Sequence, residues 1–122
     1  VRIASAGHPE PVSLASVGEP SVIPMPSSGL PIGVMESAEF GDERILLAPG
    51  EGIVLYSDGL TEHQCQSGSE QFGELRILAA LGEQRDSLSG ALKALRKSVA
   101  DWSGEQPATD DLSVLALRYL GG

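Results

Sequence analysis

The sequence predicts an α+β domain in which helices cover an antiparallel sheet, on three observations. Short β-branched or apolar runs alternate with Pro- and Gly-rich turns through the first half. After Gly59 the apolar residues recur at helical spacing. The chain then closes on an apolar run of strand length, residues 112–119.

The predicted strands are residues 1–5, 11–14, 21–23, 44–47 and 52–56. Gly7-His8-Pro9-Glu10-Pro11 must interrupt any strand, because each proline lacks an amide hydrogen and drives its predecessor towards extended geometry. Ala48-Pro49-Gly50-Glu51-Gly52 is a second such turn, proline presetting one φ and glycine free to take positive values. Gly29-Leu30-Pro31-Ile32-Gly33 lacks the lysine of a phosphate-binding loop and the third glycine of a dinucleotide fingerprint, so it is read as a bend. Leu75, Leu78, Ala79 and Leu81 predict a first helix that Gly82 caps. Leu88, Leu92, Leu95, Val99 and Trp102 predict the buried face of a second, begun by Asp86 or Ser87 and stopped near Gly104. Lys93, Arg96 and Lys97 fall on its solvated side. No repeat or linker divides the 122 residues, so one domain spanning 1–122 is expected.

Eight Lys and Arg against seventeen Asp and Glu give a net charge of −9, which repels nucleic acid and anionic membrane surfaces. No apolar run approaches the roughly 20 residues that cross a bilayer, and the first residues do not form an export signal. Cys65 is the single cysteine. It excludes an internal disulfide and a multi-cysteine metal site, and the expected setting is a reducing cytoplasm.

The chemistry is expected at two acidic positions. Residues 53–62 run a buried-looking strand into Asp58-Gly59, and Thr109-Asp110-Asp111 stands before the last strand. If the two strands pair, Asp58 and Asp110 converge at one end of the sheet. Carboxylates so placed repel each other unless a cation lies between them, and oxygen ligands suit Mg²⁺ or Mn²⁺. Each pair is also an ordinary turn or cap, and spacing alone does not choose. His8, beside a proline in a turn, is read as structural; His63 as solvated; Cys65, among Gln64, Gln66 and Ser67, as an unactivated surface thiol.

The order of the motifs adds what no single motif carries. Residues 4–11 (Ala-Ser-Ala-Gly-His-Pro-Glu-Pro), then 29–34, then 47–52, then 55–62 (Leu-Tyr-Ser-Asp-Gly-Leu-Thr-Glu), then Gln71-Phe72-Gly73, then 109–114 (Thr-Asp-Asp-Leu-Ser-Val) follow one another through nearly the whole chain. Together they resemble the C-terminal half of the SpoIIE-like branch of the PPM-type metal-dependent serine/threonine phosphatases.

That resemblance implies a β-sandwich flanked by helices, of which this chain is the C-terminal part, with two Mn²⁺ or Mg²⁺ ions in a complete domain. It implies that Asp58 and Asp110 ligate metal, that Gly59 keeps the backbone slim beside the ions, and that Asp111 shapes the shell around the ligand. The implied reaction is hydrolysis of phosphoserine or phosphothreonine on a regulatory protein, such as an anti-sigma-factor antagonist, in bacterial signal transduction. The family's N-terminal half carries further metal-binding acids, and no stretch here resembles them. The 122 residues alone are therefore expected to be inactive. The alternative is a non-catalytic, phosphatase-like module that binds a protein partner. A half-sandwich would also leave sheet edges bare, so self-association into a homo-oligomer or a rearranged sheet is expected.

Overall fold

The computed structural model describes residues 1–104, 107, 108 and 110–122. The chain forms β1 (Arg2–Ala4), β2 (Val12–Leu14), β3 (Ser21–Val22), β4 (Asp42–Arg44), β5 (Gly52–Tyr56), α1 (Asp58–Thr61), α2 (Gly73–Glu83), α3 (Leu88–Ser103) and β6 (Val114–Arg118). It is the α+β arrangement expected from the sequence: antiparallel sheets with helices against them.

β3, β2, β5 and β6 lie in that order in a four-stranded antiparallel sheet, while β1 and β4 pair as a separate ribbon. β5 sits inside the larger sheet, with Val54 opposite both Val12 of β2 and Ala116 of β6. Because side chains alternate across a strand, Val12, Leu14, Val54 and Tyr56 point to one face. There they meet Leu60, Phe72, Ile77, Ala80, Leu81, Ala91 and Leu95 in the main core. On the opposite face Ile53 is buried, but Leu115 and Leu117 are 55% and 47% exposed. The face away from the helices is thus only partly covered, by the segment around Ile3 and Ala4, which shares a cavity with Leu55.

Phe72 is fully buried and joins the two long helices. Its ring meets Trp102 of α3 edge-on at 6.2 Å, and the Arg76 guanidinium stacks over the same indole at 3.8 Å while donating to the Phe72 carbonyl. At the far end Arg118 of β6 donates to the Arg85 and Asp86 carbonyls, 2.6 Å each, tying the last strand to the α2–α3 connection.

Several sequence expectations are corrected. The fourth strand is Asp42–Arg44 rather than 44–47: its partner β1 sets the register, with Arg2 opposite Arg44 and Ile45 bonded to Val1, and beyond that no partner remains. Gly82 does not end α2, which runs to Glu83 with Gln84 as cap. Its missing side chain instead admits neighbours, since a Cβ there would lie 3.1 Å from Glu19 and 3.5 Å from Pro20. The buried face of α2 is Ile77, Ala80 and Leu81, and Leu75 is 80% exposed. Ser87 caps α3 by accepting from the Gly90 amide at 2.9 Å, and Gly104 ends it at φ 58°. His63, expected to be solvated, is buried, and its carbonyl accepts the Phe72 amide at 2.7 Å.

Phe72→Ala should cost about 3–5 kcal/mol of unfolding free energy in urea titrations, whereas Leu75→Ala should stay within about 0.5. Burial, then the charges of Glu74 and Glu10, raise the Tyr56 phenol above its usual 10.0. A folded-state pKa raised above the unfolded one favours folding while the phenol is protonated, and this contribution is lost as pH rises past about 10. Tyr56→Phe should accordingly flatten the decline of stability above that pH.

Candidate functional site

The site is assembled where β5 ends. Ser57 continues the strand in extended geometry, φ −81° and ψ 158°, and its amide donates to the Ser113 carbonyl at 2.9 Å. Its hydroxyl donates to the Asp111 carbonyl and accepts from the Ser113 amide, both at 3.0 Å. A serine before a helix ordinarily caps it, but this hydroxyl is spent on the neighbouring segment and makes no cap hydrogen bond. α1 is held instead by the Asp58 carbonyl, which accepts from the Thr61 hydroxyl and the Glu62 amide, both at 2.9 Å.

Gly59 is buried directly against residues 110 and 111. A Cβ on it would run into the Asp111 carbonyl oxygen and stand 3.4 Å from Asp110 Cβ. Only glycine permits this approach, and it sets Asp110 against the helix that Asp58 begins. Asp110 Oδ1 in turn accepts the Asp111 amide at 2.7 Å, which orients its carboxylate. The structure thus brings Asp58, Gly59, Asp110 and Asp111 to one end of the sheet. Both ligand candidates face solvent. Thr109, which opens the second acidic motif, lies outside the described residues.

Two solvated carboxylates leave most positions of an octahedral cation to water or to other ligands, which is how Mg²⁺ and Mn²⁺ are commonly held. The donor set fits a share of such a site. Among the described residues, no group of three or more His, Cys, Asp or Glu side chains gathers to hold an ion.

His8 was read from the sequence as a turn residue, and the structure gives it a place beside the acids. It lines a cavity of about 200 Å³ with Asp58, Gly7 and Pro31, and a second with Ser57 and Ser113. Gly7 makes this possible: at φ +82° it carries the loop past Pro31, whose Cγ would lie 2.7 Å from a Cβ. The clamp by Ser57 had no signal in sequence beyond its place before Asp58.

Gly59→Ala should separate the two acidic segments and lower the thermal midpoint by several degrees, as backbone must move to admit one methyl group. Ser57→Ala, which leaves the Ser113 amide without its acceptor, should cost about 1–2 kcal/mol in chemical denaturation.

Comparison with known proteins places the fold. The family model for stage II sporulation protein E matches residues 1–120. Among solved structures, the SiaA PP2C domain of Pseudomonas aeruginosa superposes with a TM-score of 0.71 at 22% identity, covering 97% of this chain and 46% of that one. The RsbU and RsbW domains of Rv1364c from Mycobacterium tuberculosis give 0.70 at 18%, covering 99% and 33%. The PP2C phosphatase domain, with a fragment of the regulatory domain, of the cell fate determinant SpoIIE from Bacillus subtilis gives 0.65 at 23%, covering 96% and 33%. The chain spans a third to about half the length of these structures. No curated protein sequence matches it significantly. With nearly all of its residues matched by one family model and its strands and helices superposing on PP2C domains, the chain belongs to the SpoIIE family of protein phosphatases.

Proposed function

We propose that the chain contributes the Asp58 and Asp110 half of a metal centre that hydrolyses phosphoserine or phosphothreonine on a regulatory protein, such as an anti-sigma-factor antagonist, in bacterial signal transduction. The observation that carries this reading is the contact of Gly59 with residues 110 and 111, clamped by Ser57. It holds two carboxylates at one sheet end in a protein whose family and fold are those of phosphatases.

Mn²⁺ or Mg²⁺ bound there would neutralise phosphoryl oxygens and acidify an attacking water. Asp58 and Asp110 would hold the cation, and a two-ion site would need further acids from outside the described residues. Asp110 is oriented by the Asp111 amide, and Asp111 is itself fixed through its carbonyl by Ser57. His8 lines the same cavity as Asp58. A cation at this end also offsets a net charge of −9, which would otherwise repel a phosphoprotein. Among the described residues no helix is long and apolar enough to cross a membrane.

A second reading, a non-catalytic module that binds a protein partner, is favoured by one observation, the apolar sheet face left partly bare. The partly bare face at Leu115 and Leu117 would then serve a protein contact, a second copy of the chain included.

The two readings separate in a polypeptide as long as a full phosphatase domain that contains this sequence. There, Asp58→Asn and Asp110→Asn should each reduce Mn²⁺-dependent release of phosphate from a phosphoserine protein by at least about 100-fold. Undiminished turnover in either variant refutes the assignment, and a wild-type protein without turnover supports the binding module.

A further inference from the structure

One edge of the larger sheet is unguarded. β6 ends the order β3-β2-β5-β6, and among the described residues no strand lies beyond it. Native sheets blunt such edges with prolines, charges or very short strands. The opposite edge, β3, is two residues long and stands between Pro20 and Pro24. The separate ribbon of β1 and β4 carries Arg2, Asp42, Glu43 and Arg44. β6 has none of these devices. Val114-Leu115-Ala116-Leu117 is uncharged and free of proline, and Arg118, which follows, donates to carbonyls of the α2–α3 connection.

Half of the β6 backbone is turned away from β5. In an antiparallel ladder, alternate residues exchange their hydrogen bonds with a given neighbour. The Ser113 carbonyl accepts from the Ser57 amide, and the Tyr119 amide donates to the Glu51 carbonyl, so residues 113, 115, 117 and 119 are the ones turned to β5. Val114, Ala116 and Arg118 therefore direct their amides and carbonyls outward. The surroundings of that edge are apolar on both faces. On the helix side Val114 borders a groove of about 390 Å³, shared with Leu92, Leu95 and Val99 of α3 and with Leu112. On the other side Leu115 and Leu117 are half-exposed.

We propose that β6 is the interface of a homodimer, in which β6 of a second copy pairs with it antiparallel, edge to edge, and joins two four-stranded sheets into one. The occupant of this edge must be an extended strand, apolar on both faces, with an unpaired edge of its own to offer. Among the described residues β6 itself meets that description, so the surface is complementary to its own copy, as a two-fold interface requires. The inference is independent of the phosphatase reading.

Alternation fixes the register. With Ala116 on the two-fold axis, Val114 stands opposite the partner's Arg118, and every outward residue of both copies is used, about six hydrogen bonds in all. The same register sets Leu115 beside the partner's Leu117, and Leu117 beside the partner's Leu115, as cross-strand pairs on the bare face. Each copy carries a net charge of −9, which opposes association at long range. Salt at 0.15 M screens that repulsion beyond about 8 Å, and the strand brings no acid to the contact. Because the strands run in opposite directions, Asp58 and Asp110 of the two copies lie at opposite ends of the joined sheet.

Sedimentation velocity of the 122-residue chain tests this. A contact of this size belongs with the weaker interfaces, so the wild type is examined at about 100 μM in 0.15 M NaCl, where it should sediment as a dimer that dissociates on dilution. Ala116→Pro removes an outward amide and no bond to β5, and should give a monomer with an unchanged circular dichroism spectrum. Hydrogen exchange on the wild type gives a reading that needs no variant. The Val114, Ala116 and Arg118 amides should exchange at least about tenfold more slowly in the concentrated dimer than in the dilute monomer, while those of Leu115 and Leu117 are protected in both. A wild-type chain that stays monomeric overturns the proposal. A dimer whose three outward amides exchange as fast as in the monomer also overturns it, since the copies would then meet through the leucine face, and so does a dimer that survives Ala116→Pro.

Discussion

Everything at the candidate site depends on the pairing of β5 with β6. Five consecutive residue pairs, from Gly52 with Arg118 to Tyr56 with Val114, join segments that are some sixty residues apart in sequence. The ladder ends where Ser57 takes over: its amide and hydroxyl keep the two chains together for one more step. Closing so long a loop is entropically expensive, and the buried side chains of β5 supply the compensation. Val54 and Tyr56 enter the helix-covered core while Ile53 is buried on the other face, so β5 is apolar on both sides. A strand of that kind has one acceptable place, inside the sheet, and it delivers Asp58 wherever the sheet ends.

What makes the place chemically usable is the contrast between a rigid base and a wet rim. Gly59 and Leu60 are buried, Leu60 in one core with Phe72, and the Ser57, Leu60 and Glu62 amides donate to the carbonyls of Ser113, Ser57 and Asp58. Asp58 and Asp110 themselves face water. Of the two carboxylates, that of Asp110 is already oriented by the Asp111 amide. The same economy explains His8, which is carried to the rim by a glycine turn and not by any strand.

The partly bare face of the sheet has a plain physical meaning. Leu115 and Leu117 alternate with Val114 and Ala116, so β6 is apolar on both faces while only one is packed. A strand composed for burial on both sides belongs in a sandwich with a second layer. That composition agrees with a chain spanning a third to about half of the phosphatase structures it resembles.

The sequence by itself determined the order and kind of the longer elements, though not the short helix α1, because these follow from local causes. Proline and glycine mark the turns, helical spacing marks α3, Ser87 and Gly104 mark its ends, and the run from Gly52 to Tyr56 is bounded as the residues suggest. The acidic positions were likewise visible as Asp-Gly and Asp-Asp at strand ends. Tertiary structure decided what depends on a distant partner. The extent of β4 is set by β1, the role of Gly82 by Pro20, and the exposed side of α2 by where α3 lies. So too were the burial of His63, the place of His8 beside Asp58 and the hydroxyl cluster around Cys65. Local propensity carries no record of which surface a residue will meet, and that is settled only when packing closes the chain upon itself.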